Sequence, residues 1–373
     1  MIATDVLRYK ANAAEVLERL RLLIDRKAQD RIFAAFTLPT AAMKDFQAQY
    51  SGQFSTEYPD PEQRIRFWDA HLREREMLED DSIPAAYPSE FDQGLYGGVL
   101  GGEVRFLSMP ADGYVSSGWI SSMVPPLLGD WSELSRLDVT AAHESTWFER
   151  YRRQLTMMRD AAEGKFGICH LIVIDSLNFV FELVGATKTY LSMRETPDEV
   201  MAAIELAYQL NLMIHDTFFE IVRGPEGGTC SWVLPWLPGH IICESLDPFH
   251  MTSVKDLEAW GREPLERLVC HYDGAVLHLH ANGWHQLETA CSLRGVRALL
   301  LVNELRHPPA IEIAWELRRR AGEMPLSMVV DYADFLEALG SHGLPGGVFY
   351  YVSGAPGIDA ANRCMDHVRE YRI

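Results

Sequence analysis

Four apolar segments of similar length recur in the last hundred residues, beginning at Ala275, Ala298, Pro325 and Val348, so that successive starts lie 23, 27 and 23 residues apart. Between them lie stretches compatible with helix: Trp284 to Leu293, Pro308 to Ala321, Asp331 to Leu339 and Ile358 to Tyr371. Gly295, Gly322 and Gly346-Gly347 punctuate the returns. Apolar strands that alternate with helices at this period require a parallel sheet covered by helices. Upstream, Arg31–Phe36 and Phe166–Val173 read as further strands. Thr196-Pro197-Asp198-Glu199 has the form of a capping box and opens a long amphipathic helix to about Arg223, and Ser253-Val254-Lys255-Asp256 opens another towards Cys270. No G-x-G-x-x-G follows any strand, and no linker or solenoid period interrupts the chain. The expected fold is therefore α/β: a (β/α)8 TIM barrel over residues 76–373, with residues 1–75 as an N-terminal helical extension packed on it.

Composition narrows the function. The 34 Lys and Arg against 53 Asp and Glu leave a formal charge of −19. Nucleic acid and acidic membranes are thereby disfavoured as partners, because both demand cationic side chains to replace counterions. A small substrate, neutral or cationic, fits that charge better. The longest clean apolar run, Ala298–Val302, is far too short to span a bilayer. No secretory leader is apparent, because charged residues recur from Arg8 to Arg26. The six cysteines contain no C-x-x-C pair, so reduced thiols and a cytoplasmic location are expected.

In a barrel of this kind chemistry gathers at the C-terminal strand ends. The first of the four strands ends in His278-Leu279-His280, two histidines of one face. The next ends in Asn303-Glu304, the third at Asp331 and the fourth at Ser353. Glu244 lies in the Cys243–Pro248 segment just upstream. His-x-His beside a carboxylate admits three readings: a divalent metal site, a general acid–base pair, or two hydrogen-bonded and chemically idle barrel residues. The Trp232–His240 stretch, rich in proline, reads as a loop near the mouth. Trp232 and Trp236, with Asn303 and Ser353, are the candidate substrate contacts; Trp119 and the Pro125-Pro126 loop are adjuncts.

Five segments in order resemble the uroporphyrinogen decarboxylase superfamily. They are Asp81-Ser82-Ile83-Pro84 with Gly97-Gly98 and Gly101-Gly102-Glu103-Val104; Gly185 with Leu191 and Thr196–Val200; Glu244–Pro248 with Ser253; His278-Leu279-His280-Ala281-Asn282-Gly283 with Leu287-Glu288 and Gly295; and Val352-Ser353-Gly354 with Pro356 and Asn362. The resemblance covers residues 75–373 and implies a (β/α)8 barrel. True uroporphyrinogen decarboxylases carry an N-terminal arginine motif for substrate carboxylates. Here Phe33–Pro39 contains no arginine, which points away from porphyrin decarboxylation and towards the methyltransferase-like branch.

That branch implies zinc held by His-x-Cys and a late cysteine, with methyl transfer between a corrinoid or folate donor and a thiol. His278 matches the family histidine, but His280 stands at the first cysteine and Gly354 or Ala355 at the second. The resemblance thus implies an enzyme acting on a small molecule. Its metal, zinc or another divalent ion, would rest on His278, His280 and Glu244, with Asp331 completing the catalytic group. A corrinoid protein and a second copy of the chain are the partners it suggests. A cofactor-free decarboxylase and a non-catalytic binding barrel are the alternatives.

Overall fold

The computed structural model describes residues 7–50, 54–108 and 118–373; residues 1–6 and 51–53 of the expected N-terminal extension lie outside them. Seven parallel strands form the main sheet: β1 (Ile32–Phe36), β2 (Ile172–Val173), β3 (Ile241–Ser245), β4 (Gly274–His280), β5 (Val296–Val302), β6 (Leu326–Asp331) and β7 (Val348–Ser353). Their order is β1-β7-β6-β5-β4-β3-β2, so chain neighbours from β2 to β7 are also sheet neighbours. The α/β class stands, as a seven-stranded sheet. β1 pairs along its whole length with β7, from Ile32 opposite Val348 to Phe36 opposite Val352. A boundary at residue 75 would cut through this sheet, because β1 is an integral strand and not part of a helical add-on. Around it the segment is helical, with Ala13–Ile24, Ala41–Tyr50 and Pro61–Arg73.

β5 shows why the C-terminal half reads so plainly. Ala298 through Val302 are all buried, because helices cover one face and the other looks inwards. Burial on both faces removes the apolar–polar alternation and leaves a continuous apolar run. The helix Pro197–Ile221 begins with Pro197 in its first turn, but the Thr196 side chain makes no capping bond and its hydroxyl is a buried atom without a partner. The capping box expected there is absent. Ser253 and Asp256 do form one.

Residues 166–173 do not form one strand. Gly167–Ile168 pairs with Ala85–Ala86, and β2 begins only at Ile172. Between them the Cys169 backbone makes an isolated β-bridge with that of Cys230, both thiols being free, and the His170 ring is built into the interior. Its Nδ1 accepts the Cys243 N–H (3.2 Å), which leaves Nε2 to donate to His215 Nδ1 (2.9 Å). His215 Nε2 then donates to the Tyr96 hydroxyl (2.6 Å), which donates to the Ile172 carbonyl (2.9 Å). The four ring nitrogens of His170 and His215 and the Tyr96 hydroxyl are all satisfied with both rings neutral.

Burial holds both rings neutral, with His170 lowered to about 3 and His215 well below its ordinary value; His71 is likewise lowered to about 3. Below pH ~6.5 the unfolded chain takes up these protons and the folded chain does not, so stability falls with acidification. Burial has the opposite consequence for Asp92, raised to about 8, and Asp175, raised to about 7. Both stay protonated in the fold, and stability is lost as pH rises from ~4 towards those values. The urea midpoint is therefore expected to be highest near pH ~5–6.5 and lower at both pH ~4 and pH ~8. A midpoint rising steadily from pH 6 to 8 would contradict these assignments.

Candidate metal centre and cavity

The C-terminal ends of three adjacent strands build the site. β4 delivers His278 and His280 to one face, as a two-residue spacing on a strand dictates. After β3 the chain turns at once into a short 3-10 segment, Asp247–Met251, with Pro248 in its first turn. That turn places Asp247 against both histidines. Asp247 Oδ1 lies 3.2 Å from His278 Nε2 and 3.6 Å from His280 Nε2. His250, on the same turn, brings Nδ1 to 3.7 Å from the same oxygen. Asp247, His278 and His280 each offer one ligand atom, all within 4.8 Å of one another.

Asp247 Oδ1 is buried and makes no hydrogen bond of acceptable geometry, despite its three imidazole neighbours. Burial alone would raise its carboxyl, but His278 above all, then His280 and His250, hold it far below the ordinary carboxylate range. The carboxylate oxygen faces three imidazole nitrogens at 3.2, 3.6 and 3.7 Å. Two imidazoles and a carboxylate are a donor set suited to zinc. The donor set and the orphaned oxygen therefore fit a divalent metal.

Glu304, immediately past β5, binds His280 Nδ1. A carboxylate on Nδ1 fixes the tautomer that leaves the Nε2 lone pair facing Asp247, the arrangement found behind metal-bound histidines. Glu304→Gln is expected to weaken zinc binding by about 10–100-fold, measured by competition with a chelating dye; unchanged affinity would remove Glu304 from the site. Gly283 gives His250 its room, because a Cβ there would stand 2.1 Å from the His250 ring.

The cluster borders a cavity of about 440 Å³ with mainly apolar walls. Trp232 lies over His278, with ring centroids 5.0 Å apart, and Trp119 meets Trp232 edge-on. Trp119 in turn packs on Tyr87, whose ring is 4.6 Å away. Trp232 and Ser353 both line this space.

The other candidates are placed elsewhere. Glu244 pairs in register with Leu277 while Ser245 pairs with His278, so strand alternation turns Glu244 to the opposite face from the histidines. There it is fully buried. Burial first, and then Asp175, push its acid well above the ordinary value, and it enters the fold as a neutral acid. Asp247, three residues on, is the carboxylate that stands beside the histidines where the sequence reading placed Glu244.

Asp331 is exposed and accepts the Ser353 hydroxyl proton (2.8 Å). Asn303 spends both ends of its amide on backbone, donating to the Val329 carbonyl and accepting from the Ala310 N–H, which fixes the loop after β5. Trp236 is fully buried, donates to the Pro225 carbonyl (2.8 Å) and lies beneath the Arg21 guanidinium. It is core. Asp247 and Glu304 lie in segments the sequence already marks, Cys243–Pro248 and Asn303-Glu304, but which side chain there meets the histidines is decided by the strand register, and nothing in the sequence marks His250.

No protein-family model and no curated protein matches the sequence. Among solved structures, a methyltransferase from Methanosarcina mazei is similar, with a TM-score of 0.60 at 12% identity, over 95% of this chain and 98% of that chain. At that identity the likeness is one of fold. No described helix is long and apolar enough to cross a membrane.

Proposed function

We propose that this chain is a metal-assisted methyltransferase of the uroporphyrinogen decarboxylase superfamily. The seven parallel strands would be completed as a (β/α)8 barrel by the short segments around Ala85–Ala86 and Gly167–Ile168, since the Asp81 N–H already donates to the outer edge of β1 at the Ala34 carbonyl (2.9 Å). Support comes from the five ordered sequence segments and from the methyltransferase whose fold this chain shares.

The observation that carries the reading is the Asp247–His278–His280 cluster, with its orphaned buried oxygen, at the edge of an apolar cavity. Zinc bound there would lower the pKa of a thiol or a water. The chain's own residues do the rest. Asp247 supplies the negative charge, Glu304 orients His280, and Trp232 covers His278 and keeps bulk water away from it. The Ser245 hydroxyl, 3.5 Å from His278 Nε2, limits rotation of that ring.

The test is metal analysis of untagged protein grown with zinc and iron, followed by methyl transfer from methylcobalamin or a methylfolate to a panel of thiols. About one equivalent of metal, and turnover lost on chelation, is expected. Less than ~0.1 equivalent would end the metal reading. Decarboxylation is the second reading, favoured by the presence of Arg75 in the cavity wall. Release of CO2 from a carboxylic acid by chelator-treated protein would establish it instead.

A further inference from the structure

The same cavity has a second polar region, at the end of β1 and four strands along the sheet from the histidines of β4. Three side chains there carry buried nitrogens that meet no partner among the described residues: Arg75 Nε, Trp68 Nε1 and His71 Nε2. All three residues line the cavity. All three atoms act as donors. Arg and Trp nitrogens have no other capacity. In His71, Nδ1 faces the Thr40 hydroxyl (2.7 Å), which also accepts the Met43 N–H; we assign the hydroxyl's one proton to Nδ1, which puts the ring hydrogen on Nε2.

No carboxylate is bonded to Arg75 either, and Asp80 acts on its charge only through space. Lys10, also in this wall, spends its three protons on the carbonyls of Leu78 and Asp80 and on the Asp80 carboxylate. Asp80 is saturated in turn by Lys10, by the Ser82 N–H and hydroxyl, and by the Phe36 N–H. Arg75 has only the Phe36 carbonyl (3.0 Å). A half-buried guanidinium with no carboxylate bonded to it, beside two orphaned neutral donors, is a costly arrangement that an oxyanion would relieve.

We propose that Arg75, Trp68 and His71 form an oxyanion subsite that holds the acid group, carboxylate or sulfonate, of a substrate whose apolar body fills the cavity towards the metal cluster. The subsite reverses the expectation drawn from net charge: the chain is acidic, but this wall of its cavity is not. The claim that the bound acid is a substrate rests on the function proposed above; the claim that the subsite binds acids does not.

Titration calorimetry on the full chain tests it with hexanoate, hexanesulfonate and hexanamide, each against zinc-loaded and chelator-treated protein. Both acids are expected to bind with and without zinc, and the amide more weakly by about 10–100-fold. Arg75→Met should lower acid affinity by a similar factor while taking up zinc as the parent does. Trp68→Phe, which removes the indole N–H together with the pyrrole half of the ring, should lower it by a smaller factor and serves if Arg75→Met does not fold. Equal affinity for acid and amide would overturn the subsite. So would acid binding that disappears with the metal, since the acid would then be a ligand of the metal centre. Acid binding by a protein that takes up no zinc would leave the subsite standing and remove the metal reading alone.

Discussion

His278→Ala is expected to abolish the proposed stoichiometric zinc uptake, with affinity lower by more than ~100-fold, a larger loss than that expected of the Glu304 change behind His280. The variant is expected to keep its fold, because the imidazole Nδ1 makes no hydrogen bond and Nε2 meets only the Ser245 hydroxyl at 3.5 Å and Asp247 at 3.2 Å, at the cavity edge. The contrast is Glu244→Gln. Glu244 is a neutral acid on the far side of β3, so an amide of the same shape leaves zinc affinity as it was. Competition with a chelating dye measures both. If the Glu244 change cost as much zinc affinity as the His278 change, the assignment of Asp247 as the carboxylate ligand would be wrong.

Arg64→Met destabilises the protein by about 3–5 kcal/mol, the range for breaking a fully buried ion pair from one side. Arg64 and Glu90 are both buried, with Arg64 Nη2 3.2 Å from the carboxylate, and the same nitrogen donates to the Gly118 carbonyl (2.8 Å). Gln154 supplies a further bond to Glu90. Without the guanidinium, Glu90 remains in the interior with too little to replace it. The guanidinium also stacks on Phe46, Phe67 and Trp68, so the change loosens the helix Pro61–Arg73 that carries Trp68 and His71 to the cavity. Urea unfolding measures the loss. Adding Glu90→Gln to Arg64→Met recovers most of it, because no buried charge is then left alone; a double variant no more stable than the single one would mean that packing, not charge, sets the cost.

The sequence speaks clearly where a single local force shapes the chain. β4 to β7 are legible because burial on both faces leaves largely apolar runs, each followed by a helical segment. His278 and His280 are legible as a pair because strand periodicity alone puts them on one face. Legibility ends where side chains from distant segments decide the outcome. Phe166–Val173 is apolar enough for one strand, yet the His170–His215–Tyr96 chain breaks it, and its partners lie 45 and 119 residues apart in sequence.

Glu244 has the chemistry of a ligand but the wrong strand parity; only the pairing register with β4 reveals that Asp247 reaches the histidines from the following turn. Trp236 and Asn303 look like substrate contacts by residue type, but backbone groups claim their polar atoms. Trp68, His71 and Arg75 are invisible as a group in the sequence: they are spread through a helix and the loop after it, and only the missing hydrogen bonds in the folded cavity single them out.

Zinc K-edge X-ray absorption on the purified protein tests the central claim most directly. The account predicts a first shell of nitrogen and oxygen at about 2.0–2.1 Å, with the outer-shell signature of two imidazoles from His278 and His280 and an oxygen from Asp247. A shell containing sulfur at about 2.3 Å, or one of water oxygen without imidazole, would contradict it.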